Sequence, residues 1–432
     1  MHTAIHSIAT AFQSYISREE TYGAHNYHPL PVVLERGEGV HLWDVEGKQY
    51  LDFLSAYSAV NQGHCHPRIV NAMVQQASRL TLTSRAFHHN LLGKCEEFMA
   101  HLFGYQKVLM MNTGVEAVET AMKLSRKWGY QVKGIPQNQA VILFAGNNFH
   151  GRTLSVISAS SDPTAKDGFG PFMPGIQSIA YNDVAALEQA LTTNPNITAF
   201  IVEPIQGEAG VVVPADDYWH RVAALCKKHQ LLYVADEIQT GIGRTGTLLA
   251  SCQPCHCQGA CPTNRAARPD ILILGKALSG GTMPVSAVLA DDEIMLTIKP
   301  GEHGSTFGGN PLACAVAMES LQVILDEKLS ENAHAMGNIF RHGLQEMSTK
   351  HALLESVRGK GLLNAIVIRS DEESETAWNL CMAFSRRGLL AKPTHGNKIR
   401  LAPPLVINEA QVRESLSIIE DALWECTNTQ ES

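Results

Sequence analysis

The sequence predicts an α/β protein: a large domain whose mainly parallel sheet is flanked by helices, followed by a smaller α+β domain. Three observations lead there. From about residue 95 onward, continuous apolar runs recur, among them "AVILFAG", "ITAFIVEPIQG", "LLYVADEIQTG" and "DILILGKALSG". Strands with one wet face alternate in polarity, so unbroken runs of this length suit parallel strands covered on both faces. Between the runs lie stretches such as "GVEAVETAMKLSRKWGY" and "DYWHRVAALCKKHQ", with apolar residues three and four apart, the pattern of crossover helices. Finally, 432 residues are enough for two or three cores.

In chain order, residues 1–55 read as an N-terminal segment and 56–310 as the large domain, opened by "KVLMMNTG" as its first buried strand. "STFGGNPLACAVAMESLQVILDEK" contains a long helix, and residues 311–432 form the small domain, with "LLNAIVI" and "KIRLAPPLVI" as its strands. Hydrophobic residues make up 45% and charged residues 18%, an ordinary globular balance without the charge excess of a disordered chain. The 34 basic against 42 acidic residues give a net charge of -8, which offers nucleic acid no general attraction and favours small-molecule partners. No apolar run reaches the roughly 18 residues that span a bilayer, so no membrane partner is expected. The N-terminus lacks the basic start and apolar core of a signal peptide, so the expected compartment is the cytoplasm, with reduced cysteines.

In open α/β sheets, chemistry gathers beyond the carboxyl ends of the strands. Those ends read "NTG", "GNNFHGRT", "EPIQGEAG", "DEIQTG" and "GKALSGG". Lys276 puts an amine at such an end, where desolvation lowers its pKa and makes it nucleophilic toward a carbonyl. Asp236 puts a carboxylate at another; buried there it needs a cationic partner, and a protonated pyridine nitrogen is one. In "NTGVEAVETA", the free N–H groups of Gly114 and Val115 open a helix and suit a phosphate.

A phosphate cradle, a pyridinium partner and a nucleophilic amine together resemble the class III, fold-type I aminotransferases that use pyridoxal 5'-phosphate (PLP). The resemblance runs through "MNTGVEAVETA", "NNFHGRT", "VEPIQGEAG", "DEIQTGIGRTG", "LGKALSGG", "GEHGSTFGGNP" and "KIRLAPPL", and so over nearly the whole chain. It implies that Lys276 carries the cofactor and shuttles the proton, Asp236 keeps the ring nitrogen protonated, Gln239 bonds the phenolic oxygen and Phe149 stacks on the ring. It further implies phosphate contacts from Gly114, Val115 and Thr306, the last reaching across from a partner subunit, so that a homodimer is the smallest active unit; Ser305 binds the cofactor or, like Glu203, supports the site.

The same resemblance implies ornithine as amino donor and 2-oxoglutarate as acceptor. Tyr27 and Arg152 would hold the amino and carboxylate groups of ornithine, and Tyr57 would shape its pocket. Arg400 would take a carboxylate of 2-oxoglutarate and be masked by Glu208 otherwise. The expected products are glutamate 5-semialdehyde, which closes to pyrroline-5-carboxylate, and glutamate. The competing expectations are another ω-amine donor, N-acetylornithine or 4-aminobutyrate, and an idle homologue that responds to metal or redox state.

Two departures from the family pattern stand out. His150 occupies a position where tryptophan is common, which is expected to alter the outer pocket. An insertion, "SCQPCHCQGACP" at 251–262, brings Cys252, Cys255, Cys257 and Cys261 together with His256. Four thiols suit a structural zinc, yet the spacing lacks two separated C-x2-C knuckles. A reversible disulfide and a plain solvated loop stay open beside the metal. His64 and His66 in "GHCHP" are expected to be structural.

Overall fold

The computed structural model describes residues 11–252 and 267–430. Its centre is a seven-stranded sheet in the order Lys107–Met111, Ser286–Ala290, Ile271–Leu274, Leu232–Asp236, Ile197–Val202, Val141–Ala145, Ile176–Ile179. Ser286–Ala290 runs antiparallel to both neighbours, and the remaining pairs are parallel. The runs Ile197–Val202, Leu232–Asp236 and Ile271–Leu274 are buried at every residue.

The covering helices explain that burial. The helix Gly114–Gln131 packs Ala117, Val118, Ala121 and Leu124 on one face of the sheet, against Ile142, Ile201, Val234 and Ile273. Helices Val184–Thr193 and Tyr218–Lys228 pack Leu187, Trp219 and Val222 on the other, against Leu143, Phe200 and Tyr233. Alternating side chains along each strand therefore enter two different cores, which is why the sequence shows no polar alternation.

Two four-stranded sheets accompany it. Leu34–Glu38, His41–Asp44 and Gln49–Asp52 form an antiparallel meander, and Leu389–Leu390 adds in parallel, so the N-terminal segment shares a sheet with the C-terminal part of the chain. Leu354–Lys360, Leu363–Ile368, Lys398–Leu401 and Lys392–His395 form the other, antiparallel throughout. The helices Pro311–Asp326, Leu329–Lys350, Thr376–Arg386 and Glu409–Gln430 contribute to the largest apolar cluster.

Arg244 ties the parts together. Its side chain is fully buried, donating to Asn61 Oδ1 at 2.6 Å, Leu362 O at 3.0 Å and Pro403 O at 2.6 Å. Burial without a directly bonded carboxylate lowers its pKa to about 9, although Asp52 opposes the shift. Among the described residues no helix is long and apolar enough to cross a membrane.

Candidate active site

Sheet register brings the chemistry to one edge. Asp236 closes its strand opposite Ile273 of the parallel neighbour, so Lys276, three residues further on, leaves at the same edge. Lys276 adopts φ of +45°, in the left-handed region that costs a residue with a Cβ roughly 1–2 kcal/mol. Strain of this kind persists where the surrounding fold dictates a side chain's position. Burial pushes the Lys276 amine below its ordinary range and Arg400 adds to this, while Glu208, Asp236 and Glu203 pull it back only in part.

The helix Gly114–Gln131 starts at this edge. Thr113 Oγ1 accepts from the Glu116 N–H, and Glu116 returns its carboxylate to the Asn112 and Thr113 N–H groups at 2.9 Å each. That capping box leaves the N–H groups of Gly114 and Val115 ahead of the first intrahelical bonds. A Cβ at Gly114 would lie 3.0 Å from the Ile238 side chain, so glycine keeps the approach open.

Asp236 is 3% exposed, and its Oδ1 accepts the Ile238 N–H at 3.1 Å. Its Oδ2 lies 2.7 Å from Nδ1 of His150. The expectation that His150 alters the outer pocket is narrowed: the residue lines the cavity, but its imidazole is wholly buried against Asp236, in tilted contact with Phe144. A small ring with a donor nitrogen is drawn inward by the carboxylate. Burial alone would lower the His150 pKa, but the bond to and charge of Asp236, helped by Glu203, raise it.

Glu203, just past Ile197–Val202, accepts from the N–H groups of Phe149 at 3.0 Å and Gly207 at 3.2 Å. Burial pushes its carboxyl up to about 7, against the pull of His150. Sequence reasoning placed this residue beside the site without assigning it a contact. The signal was there in "VEPIQG", an acid directly after a wholly apolar strand.

A charged cluster closes the other side. Arg400, 1% exposed on Lys398–Leu401, donates through Nη1 to Glu208 Oε1 at 2.5 Å and to Gln239 Oε1 at 3.2 Å. Gln239 Nε2 donates to the same Glu208 oxygen at 2.9 Å, and Thr394 Oγ1 reaches Oε2 at 3.2 Å. Burial would raise the Glu208 pKa, but Arg400, then Lys276 and these bonds, hold it at about 2. Arg400 Nε has no acceptor among the described residues.

The Arg400 guanidinium lies 5.0 Å from the centre of the Tyr57 ring. Tyr57 sits in a run, Ser55 to Ser58, in which all four φ values are positive. Asp52 Oδ1 anchors the run by accepting from the N–H groups of Leu54 and Ser55, and Ser55 Oγ donates to Ala402 O. Tyr27 and Arg152 are near enough to Tyr57 to perturb its hydroxyl. Arg152 is exposed, its guanidinium 5.7 Å from the Phe149 ring centre.

Lys276, Asp236, Gln239, Gly114, Val115, Phe149, His150, Arg152 and Glu203 line one cavity of about 260 Å³. The class-III aminotransferase family profile matches residues 22–423. This chain belongs to the class-III aminotransferases. The mitochondrial ornithine aminotransferase of Rattus norvegicus is 60% identical to this class-III aminotransferase over 94% of the chain and 89% of that protein. The solved ornithine aminotransferase of Toxoplasma gondii ME49 is 44% identical and superposes with a TM-score of 0.92, covering 98% of this chain and 97% of the other. An acetylornithine aminotransferase from Elizabethkingia anophelis is 57% identical with a TM-score of 0.85, over 96% and 99% of the two chains.

The class-III aminotransferases use PLP, and the cavity of this one fits it. An anion seat at a helix N-terminus, an aromatic wall at Phe149, a buried carboxylate and an amine are distributed around a single space. Ser305 lies nearby, its Oγ accepting from Asn112 Nδ2 at 2.7 Å. Thr306 is exposed and does not line the cavity of its own chain. His64 bonds Asp52 at 2.7 Å and His66 bonds Glu327 at 3.0 Å, as structural histidines would.

The zinc expectation falls on Cys252, Cys255, Cys257 and Cys261. The last three lie outside the described residues, and of Cys252 only the backbone is described, ending the turn Ala250–Cys252. Among the described residues no group of three or more histidines, cysteines or acids is arranged to hold a metal ion. The turn itself is anchored beside the site: buried Glu237, next to Asp236, accepts from the N–H groups of Ala250 at 3.0 Å and Ser251 at 2.7 Å.

Proposed function

We propose that this aminotransferase moves the δ-amino group of L-ornithine to 2-oxoglutarate, giving glutamate 5-semialdehyde, which closes to pyrroline-5-carboxylate, and glutamate. The observation that carries the reading is the buried Arg400–Glu208 pair beside Lys276, with Tyr57 against the guanidinium. When bound, PLP supplies an aldehyde that accepts the amino group and a ring that takes up electrons.

The chain's residues do the rest. The Lys276 amine, kept low in pKa by burial, is free to take the proton from the amine-bearing carbon of the substrate. Asp236 would face the ring nitrogen of bound PLP and hold its proton. Gly114 and Val115 would seat the phosphate, and Thr306 would join them from the partner in a homodimer. Phe149 would cover the ring face, and Gln239 would bond the phenolic oxygen.

Specificity follows from charge. With ornithine bound, Arg152 forks the α-carboxylate, Tyr27 takes the α-amino group, and Glu208 keeps Arg400 neutralised. With 2-oxoglutarate bound, the carboxylate next to its keto carbon displaces Glu208 from Arg400, and its far carboxylate takes the place of ornithine's on Arg152. One pocket then accepts a donor with no acid on its reacting carbon and an acceptor with one.

A second reading, N-acetylornithine as donor, is favoured by the likeness to the Elizabethkingia anophelis protein. Relative kcat/KM for ornithine and N-acetylornithine separates the two donors, and ornithine labelled with nitrogen-15 at the δ position tests the δ-transfer that both share. The label is expected in glutamate, with pyrroline-5-carboxylate as co-product; label retained in the oxidised product refutes δ-transfer.

A further inference from the structure

We infer that Lys392 is a positioning residue for Tyr27: its ammonium, together with the Trp378 ring, pins the N-terminal segment at His28 and so sets the neighbouring phenol where the donor's α-amino group arrives. The inference rests on the reading that Tyr27 takes that group. Residues 21–29 are all exposed, and Leu30 is where the segment begins to pack on the main apolar cluster. Tyr27 itself is 69% exposed, so burial does not fix its ring. Whatever holds the adjoining residue decides where that ring stands.

His28 is held at its backbone and at its ring. Lys392 Nζ donates to the His28 carbonyl at 2.6 Å, from 364 residues further along the chain, and the Trp378 ring centre lies 4.6 Å from that of the His28 imidazole. Residue 28 cannot turn about its backbone without losing one of these contacts. Strand register ties Lys392 to the rest of the site. It opens the strand Lys392–His395 directly opposite Arg400, and opposed residues of an antiparallel pair present their side chains on one face. Arg400 lies against Tyr57, and Tyr27 is near enough to perturb the Tyr57 hydroxyl. Thr394, on the same strand, donates to the Glu208 backbone carbonyl at 2.9 Å. One strand thus holds both the peptide of the Arg400 mask and the segment that carries Tyr27. A lysine kept only for solubility would leave its ammonium in water, whereas this half-buried one bonds a carbonyl.

The test uses the holoenzyme with 2-oxoglutarate as acceptor. Lys392→Met keeps the stem, removes the ammonium, and is expected to raise the KM for ornithine about 3- to 10-fold with kcat little changed. 5-Aminopentanoate is ornithine without the α-amino group, so its inhibition constant against ornithine is expected to stay at the wild-type value. Lys392→Arg restores a donor to the carbonyl and is expected to return the KM for ornithine close to wild type. In a Tyr27→Phe background, adding Lys392→Met is expected to change that KM little, because the group it acts through is gone. Amide hydrogen exchange across residues 22–30 is expected to be faster in Lys392→Met and not in Lys392→Arg.

Equal losses for ornithine and 5-aminopentanoate, an undiminished loss in the Tyr27→Phe background, or unaltered exchange in Lys392→Met would overturn the inference. If Lys392→Met does not fold, Trp378→Leu, which removes the ring contact to His28, decides by the same comparison. A wild-type KM for ornithine in Tyr27→Phe alone would sink the reading of Tyr27 as a donor contact, and the inference with it, even where the exchange data show His28 to be pinned.

Discussion

Glu208→Gln tests the two-substrate device. Glu208 is held at about 2 against the 4.5 of an ordinary glutamate. At roughly 1.4 kcal/mol per pH unit, that is about 3 kcal/mol of interaction, counted once, from the carboxylate side. The side chains are 19% and 2% exposed, so solvent screens the pair little. A dicarboxylate that seats on Arg400 must first displace Glu208, and its affinity is reduced by up to this amount.

Glutamine keeps the shape and removes the charge. The KM for 2-oxoglutarate is expected to fall, with about a hundredfold as the upper bound. The ornithine half-reaction is expected to slow, because Arg400 is left without a counter-charge. Stopped-flow measurement of each half-reaction separates the two effects. If both half-reactions change alike, or if 2-oxoglutarate binding does not improve, Glu208 is not a mask and the reasoning fails.

Other expectations follow from the same geometry. Lys276→Ala should abolish transamination, and borohydride treatment should add the cofactor mass to wild type but not to the variant, as read by mass spectrometry. Arg152→Ala should raise the KM for ornithine about 10- to 100-fold, the worth of a charged carboxylate contact, without changing PLP affinity. Glu203 is raised from 4.5 to about 7, so the native state keeps a proton that the unfolded chain releases; stability should fall by up to about 3 kcal/mol as pH rises from 4.5 to 7. Urea denaturation of Glu203→Gln should show that slope flattened. Arg244→Ala should cost about 3–5 kcal/mol in the same assay, since Asn61 Oδ1 and two carbonyl groups lose their donor in the interior.

The sheet was legible because its strands are buried on both faces, and burial on two faces writes itself as unbroken apolar runs. Lys276 and Asp236 were legible for a related reason: a charged residue directly after such a run must lie at a strand end. The strand order was not legible, because pairing Asp236 with Ile273 depends on contacts between segments 37 residues apart in the chain. The bond from His150 to Asp236 was not legible, because sequence position cannot tell which way a side chain turns. The carboxylate that draws it inward belongs to a different strand, 86 residues on. Arg244 stood in the quoted "GRTG" without a role, since its acceptors are an amide from residue 61 and carbonyls near the far end of the chain. The four positive φ values around Tyr57 leave no mark in "LSAYSAV", which contains no glycine.

The central claim is that free ornithine is the donor this pocket selects. Initial rates for ornithine, N-acetylornithine, 4-aminobutyrate and lysine with 2-oxoglutarate measure it directly, with pyrroline-5-carboxylate trapped as its coloured adduct and glutamate quantified in parallel. The account predicts that ornithine gives the highest kcat/KM and that trapped product and glutamate form in equal amounts. A higher kcat/KM for N-acetylornithine or 4-aminobutyrate would contradict it.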